Sequence, residues 1–206
     1  MHPAAQTTAP EVILASASAS RAAVLRTAGV PHRVIAANID EAEIKRSLAA
    51  DGAPAAEVAE TLARAKALQV SQRHRDALVI GADQVLACNG QLFDKPADLD
   101  HARAHLMALR GRCHSLATAI SVARDGGEIW HHFDEPVLEM RRFGEPFIDW
   151  YIGAVGAEAC QSVGAYKLEG LGAQLFSRVD GDFFTILGLP LLPLLDFLRS
   201  HGVIET

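Results

Sequence analysis

The stretch Val79-Ile80-Gly81-Ala82-Asp83-Gln84-Val85-Leu86 restricts the fold of this chain more than any other. Val79 and Ile80 are β-branched and apolar, as a buried strand requires. Gly81 and Ala82 then remove side-chain bulk, and Val85 and Leu86 resume the apolar run. Asp83 is thus a lone carboxylate inside an apolar strand. Such a charge is expensive to bury unless it is paired or meets a cation. Two readings follow from these residues: an Asp that caps a turn at the strand end, or a functional carboxylate.

The flanking sequence alternates short strands with helices. Val12 to Ala15 is a short apolar strand, and the Ser-rich turn Ser16 to Ser20 leads into a helix over Arg21 to Ala28, closed by Gly29. A helix start with Ser hydroxyls and an Arg beside it forms a cradle for anions, or simply a Ser-capped helix with a solvated Arg. His32 to Ala37 reads as a strand running into the acidic turn Asn38-Ile39-Asp40-Glu41. That acidic pair either caps the next helix or holds a hard divalent cation. The helix runs to about Ala50 and is broken at Asp51 to Pro54. A long helix follows from Ala56 to about Arg73, with Val58, Leu62, Ala65 and Leu68 as its apolar stripe. Lys66 lies beside that stripe, where a lysine usually snorkels to water.

After the organising strand, Asn89-Gly90 is a two-residue hairpin signal that returns the chain through Gln91 to Phe93. Pro96 stops the strand and leaves Lys95 on a loop. Asp98 to Arg110 reads as a helix; its i,i+4 pair His101 and His105 lacks the Glu of a zinc protease motif and reads as a solvated face. Cys113 to Ala123 and Glu128 to Met140 read as a long hairpin around Asp125-Gly126-Gly127. Glu145 to Val155 is a helix and Gly164 to Phe176 a Gly-rich loop. Phe183 to Leu187 reads as a strand, and Gly188-Leu189-Pro190 opens a last helix to about Arg199.

Charge and composition exclude several classes. With 206 residues and 50% hydrophobic residues the chain can bury a substantial core. Its net charge of −6 disfavours sequence-independent nucleic-acid binding. Cys88, Cys113 and Cys160 are scattered and odd in number, which fits a reduced, cytoplasmic protein. Met1 to Pro10 reads as a frayed start without the basic and apolar regions of a signal peptide. The apolar run Ile186 to Leu198 is interrupted by Pro190 and Pro193 and is too short to cross a bilayer. Residues 11–206 read as a single domain.

Taken together, separated segments supply the parts of a phosphate-and-metal site. Ser16, Ser18 and Arg21 offer an anion cradle; Lys66 and Lys95 add positive charge; Asp40, Glu41 and Asp83 add hard oxygens. Cleaving a phosphoanhydride needs charge neutralisation, a divalent ion and a carboxylate to position or deprotonate water.

The ordered segments Leu14-Ala15-Ser16-Ala17-Ser18-Ala19-Ser20-Arg21, Ala63-Arg64-Ala65-Lys66-Ala67, Gly81-Ala82-Asp83-Gln84-Val85, Asp94-Lys95-Pro96, Leu109 to Thr118, Gly164 to Gly172 and Gly188-Leu189-Pro190-Leu191 resemble those of the Maf family. Its members are nucleoside triphosphate pyrophosphatases historically linked to septum formation. The resemblance implies an α/β fold with a long mixed sheet, two lobes with a cleft between them, and often a homodimer. It implies cleavage between the α- and β-phosphates with a divalent metal, Mg²⁺ or Mn²⁺. It matches Asp83 to the general base, Ser16, Arg21, Lys66 and Lys95 to phosphate-contacting positions, and Glu41 to a carboxylate associated with the metal and the substrate; the residues themselves add Ser18 to the phosphate cradle and Asp83 to the candidate metal ligands. The family usually has Ser-Gly-Ser-Pro followed by two bulky or basic residues; here Ala17 and Ala19 replace the Gly and Pro and Ser20 precedes Arg21, so Arg21 carries the cationic role there alone. Ser20, Gln84 and Glu169 match specificity positions. The dTTP/UTP branch resembles Arg, Thr and Gln there, and the 7-methyl-GTP branch Trp, Gln and Glu, so two of three positions place this chain closer to the second. The alternatives are a dTTP/UTP pyrophosphatase and a nucleotide-binding regulator of cell division without turnover.

Overall fold

The computed structural model describes residues 9–206. The expected frayed start at residues 1–10 falls mostly outside the described residues. The chain forms one mixed eight-stranded sheet in the order β2-β1-β3-β5-β7-β8, with β4 paired to β3 and β6 paired to β5. The strands are β1 (Val12–Leu14), β2 (Arg33–Val34), β3 (Leu78–Cys88), β4 (Gln91–Phe93), β5 (Cys113–Arg124), β6 (Gly127–Asp134), β7 (Val137–Met140) and β8 (Phe176–Asp180). Helices α1 (Ala19–Thr27), α2 (Glu41–Ala50), α3 (Ala55–Ser71), α4 (Leu99–Leu109), α5 (Glu145–Val155), α6 (Phe183–Ile186) and α7 (Leu191–Ser200) flank it. The α/β class and mixed sheet expected from the sequence are thus observed.

The strand β3 is the spine. It runs parallel to β1 and antiparallel to β5 along most of its length. Period-two alternation sends its side chains to opposite faces. Val79 and Val85 pack toward α3, whereas Ile80 and Ala82 join Leu14, Leu25 and Leu194 under α1 and α7. Leu86 enters a further core with Leu106, Leu109, Leu138 and Tyr151, beneath α4 and α5. At Gly81, α3 lies directly on the strand: a Cβ there would collide with the Ala63 carbonyl and stand 2.7 Å from the Ala67 nitrogen. Gly81 therefore sets how closely helix and strand approach, and Lys66, on that same face of α3, is carried against Asp83.

Several sequence expectations need correction. The buried face of α3 is Val58, Ala59, Leu62, Ala63, Lys66, Ala67 and Val70, so Ala65 and Leu68 lie at its margin and Lys66 lies inside it. Lys66 does not snorkel; it is 7% exposed and finds carboxylates instead. The second arm of the long hairpin is broken at Glu135-Pro136 into β6 and β7, which pair with different halves of β5. Phe183–Ile186 is a helical turn, capped by Asp182 Oδ2 accepting from Thr185 N at 2.7 Å, not a strand. The last strand is instead β8, which begins where the Gly-rich loop ends and was not expected from the sequence. The strand expected over His32 to Ala37 shrinks to two residues. The Asn89-Gly90 hairpin stands, with both residues at positive φ.

Candidate active site

Strand β1 ends between two neighbours reached in opposite directions, β2 through α1 and β3 through α2 and α3. In an open α/β sheet, ligands bind in the crevice at such a switch point, beyond the strands' carboxyl ends. A cleft of about 480 Å³ lies there. Ser18 caps α1, its Oγ accepting from Arg21 N at 3.4 Å, and Ser16 Oγ accepts from Ser18 N at 3.2 Å. The turn thus holds its hydroxyls at the helix start, where free N–H groups and the helix dipole favour an anion.

Arg21 is buried and tied down on two sides. Its Nε donates to Gly188 O at 2.8 Å, and its Nη1 donates to Ala82 O at 2.8 Å and to Ser16 Oγ at 3.2 Å. Gly188, at φ 95°, gives the guanidinium room: a Cβ there would press to 3.3 Å from Nε. Nη2 donates to no protein group among the described residues. Burial lowers the Arg21 pKa, and the charges of Asp83 and Glu41 oppose that shift. Arginine is not deprotonated in proteins, so the guanidinium stays charged.

Across the cleft, Lys66 Nζ donates to Asp83 Oδ1 at 2.7 Å and stands 3.0 Å from Glu41 Oε1. Asp83 is 7% exposed and Glu41 lies toward solvent at the start of α2. The two carboxylates from β3 and α2 therefore converge on one cation. Asp83 Oδ2 has no hydrogen-bond partner among the described residues. Lys95 is exposed at the rim and forms no ion pair among the described residues. Desolvation lowers its pKa first, then the charge of Arg21, with Lys66 adding to the fall and Glu41 and Asp83 opposing it. With Lys45 and Asp94, which also line the cleft, four cations stand against three carboxylates there.

The far end of the cleft opens into a slot of about 50 Å³, and Ser20, Gln84, Ser162, Val163 and Leu187 line both spaces. Gln84 is the cross-strand partner of Thr118, and its Nε2 donates to Thr118 Oγ1 at 2.9 Å. Glu169 lines the slot beside Lys167 and Leu168, exposed on the loop after Tyr166. That loop is pinned from below. Tyr166 Oη lies 2.8 Å from His114 Nε2, and Ser162 Oγ donates to Tyr166 O at 2.6 Å. Burial pushes the His114 pKa down to about 4.

Nine of the sequence-derived residues, Ser16, Ser18, Ser20, Arg21, Glu41, Lys66, Asp83, Gln84 and Lys95, line the one cleft, and Glu169 lines the adjoining slot. Asp40 does not join them; it caps α2, its Oδ1 accepting from Glu43 N at 2.9 Å. Sequence reading missed Lys45, which lines the cleft and pairs with Asp94 across its mouth. Its i,i+4 spacing from Glu41 was the available signal. Gln161 and Ser162 were missed as well, with no motif to mark them.

The Maf-like protein family matches residues 11–201. The chain belongs to the Maf-like family. It is similar to the nucleoside triphosphate pyrophosphatases of Paramagnetospirillum magneticum (54% identity over 92% of this chain and 98% of that protein) and Granulibacter bethesdensis (50%, over 93% and 97%). It is also similar to the 7-methyl-GTP pyrophosphatase of Rhizobium meliloti (47%, over 95% and 98%). Among the described residues of this Maf-like chain, no group of three or more His, Cys, Asp or Glu is placed to hold a metal ion, and no helix is long and apolar enough to cross a membrane.

Proposed function

We propose that this protein is a nucleoside triphosphate pyrophosphatase, cleaving the α–β phosphoanhydride to a nucleoside monophosphate and pyrophosphate in a house-cleaning role on modified or non-canonical nucleotides. The observation that carries the reading is the single cleft in which Arg21, Lys66 and Lys95 face Asp83 and Glu41. A triphosphate carries the charge that this surplus of cations neutralises, and its metal-bound form tolerates the two carboxylates. The names of the Paramagnetospirillum, Granulibacter and Rhizobium relatives support it.

Asp83 is the group placed to act on water. Lys66 occupies Oδ1, so Oδ2 accepts a water proton while the ammonium holds the carboxylate still. Ser16, Ser18 and the start of α1 bind phosphoryl oxygens, and Arg21 supplies Nη2. Lys95, exposed and without an ion-pair partner among the described residues, is the cation left to take charge on the leaving pyrophosphate. Glu41 and Asp83 would hold Mg²⁺ or Mn²⁺ beside the Lys66 ammonium, since such ions take one or two carboxylates plus phosphate and water. When bound, the metal supplies charge neutralisation on the phosphates.

The base lies in the slot between Ser20, Gln84 and Glu169. A guanine edge presents N–H donors, and Glu169 is an acceptor for them. This favours a guanine-type nucleotide, 7-methyl-GTP included, over dTTP or UTP. The substrate is a small molecule; neither nucleic acid nor membrane is required, and a cytoplasmic homodimer is the expected form. The test is pyrophosphate release from a panel of canonical and modified nucleoside triphosphates with Mg²⁺ or Mn²⁺. Nucleotide binding without turnover across that panel overturns the reading in favour of a regulator.

A further inference from the structure

We propose that Thr118 is a specificity-positioning residue: with the carbonyls of Thr185 and Ile186 it fixes the Gln84 side-chain amide so that its oxygen, not its NH₂, faces the nucleotide. This rests on the pyrophosphatase reading only in taking Gln84 to meet the base.

Gln84 and Thr118 are direct partners on β3 and β5, so their side chains leave the same face of the sheet side by side. Gln84 Nε2 lies 2.9 Å from Thr118 Oγ1, 3.0 Å from Thr185 O and 3.2 Å from Ile186 O. Both carbonyls are acceptors only. The Thr118 hydroxyl is fully buried and donates to Leu116 O at 3.0 Å, so toward Gln84 it too is an acceptor. One terminal atom of the amide therefore sits among three lone-pair groups. A nitrogen there donates its two protons; an oxygen there would face two carbonyls and would gain a donor only by turning the Thr118 hydroxyl away from Leu116 O and Thr185 O, leaving the two carbonyls without the amide protons. The two carbonyls therefore hold the amide with its nitrogen inward.

The supporting shell is itself held. The carbonyls of Thr185 and Ile186 end the short helix α6, and Asp182 Oδ2 caps that turn by accepting from Thr185 N at 2.7 Å and Thr185 Oγ1 at 2.9 Å. The chain between Thr185 and Gly188 also continues to the carbonyl that holds Arg21. Gln84 Oε1 is left with no hydrogen-bond partner among the described residues, on a side chain that lines both cleft and slot. It presents an acceptor, which recognises an N–H on the base edge. Reading by a fixed amide discriminates more sharply than reading by a free one, because a free amide turns to suit either donors or acceptors.

The experiment has two arms on the full chain. First, the Gln84 NH₂ protons are followed by amide exchange with ¹⁵N labelling, assigned by their loss in Gln84→Met. In the wild type they exchange at least tenfold slower than an exposed glutamine; in Thr118→Val they lose most of that protection, and Thr118→Ser restores it. Second, kcat/KM is compared for guanosine, inosine and uridine triphosphates, whose edges differ in N–H donors. Thr118→Val moves the ratios toward unity by about fivefold, the loss of one well-placed hydrogen bond, and Thr118→Ser returns them to within twofold. Thr118→Ala serves if the valine variant does not fold. Gln84 protons that exchange as fast as an exposed amide, or base ratios and protection both unchanged in Thr118→Val and Thr118→Ala, overturn the proposal. Absence of turnover in the wild type would overturn the pyrophosphatase reading, while the exchange arm would still decide the orientation of Gln84.

Discussion

The two ends of the cleft are built differently. At the phosphate end every charged group but Lys95 is anchored to an element of the sheet or of α1 to α3: Arg21 through three hydrogen bonds to Gly188, Ala82 and Ser16, and Lys66 and Asp83 through each other. At the proposed base end Gln84 is held on β3 and Ser20 on α1, while Glu169 is exposed on a loop between two short 3₁₀ turns. Buried charges require fixed partners, because an unpaired one costs several kcal/mol. The phosphate end is therefore rigid of necessity. A base is neutral or weakly charged, and its contacts can be carried by loops that vary without unfolding the sheet. One scaffold thereby serves relatives named for nucleoside triphosphates in general and for 7-methyl-GTP in particular.

The largest effect that would break this contrast lies at the phosphate end. Asp83→Asn keeps the shape and removes the proposed proton acceptor, and we expect about a 10³-fold loss of kcat for every base; the fold persists with a lower melting temperature, because Lys66 keeps only the half-exposed Glu41 as a charged partner. A base-dependent loss would mean that the two ends are not separable. The next largest concerns the rigidity itself. Gly81→Ala forces a methyl into the Ala63 carbonyl and the Ala67 nitrogen. It should cost about 3 kcal/mol, read as a fall of roughly 6–12 °C in thermal melting. Activity should fall with all substrates alike, since α3 carries Lys66.

The same contrast explains what the sequence made legible. Asp83 and the Asn89-Gly90 hairpin were readable because a charge in an apolar strand and a two-residue turn are local signals. The Ser16 to Arg21 cradle was readable for the same reason. Lys66 was misread because its partners lie 17 and 25 positions away in the sequence; without them, a lysine beside an apolar stripe looks solvated. The run Phe183 to Leu187 has five residues, too few to separate a buried strand from a helical turn, and the Asp182 cap decided it. The strand β8 escaped notice because it is an edge strand with Ser177, Arg178, Val179 and Asp180 all exposed. Glu169 and Gln84 were reached only through resemblance, since nothing in a loop glutamate or a strand glutamine announces a base.

A third effect tests the anchor under the base loop. His114 is neutral when folded, with its pKa depressed by burial to about 4 from an ordinary 6.5. Between those values the unfolded chain binds the extra proton, so stability is complete above pH 6.5 and falls as pH drops toward 4. The 2.5-unit gap amounts to about 3 kcal/mol at the acid end. Denaturant melts between pH 4 and pH 7 should show that slope, and His114→Leu should flatten it. Because His114 holds Tyr166, the variant should raise KM while leaving kcat within about threefold.

The smallest effect sharpens the contrast most. Glu169→Gln replaces a carboxylate with an amide of the same shape at the exposed end of the slot. It keeps an acceptor oxygen but removes the charge, which strengthens hydrogen bonds to N–H donors and attracts a cationic methylated base. Exposure limits what that charge contributes. We expect kcat/KM for guanosine and 7-methylguanosine triphosphates to fall about three- to tenfold, with pyrimidine triphosphates changed less than twofold. Raising the salt concentration should narrow the gap for 7-methylguanosine triphosphate more than for guanosine triphosphate, because only the former adds a charge-to-charge attraction. Equal losses on purines and pyrimidines would remove Glu169 from base reading. They would leave Gln84, on the rigid strand, as the residue that reads the base, and the division between a fixed phosphate end and a variable base end would move to the far side of β3.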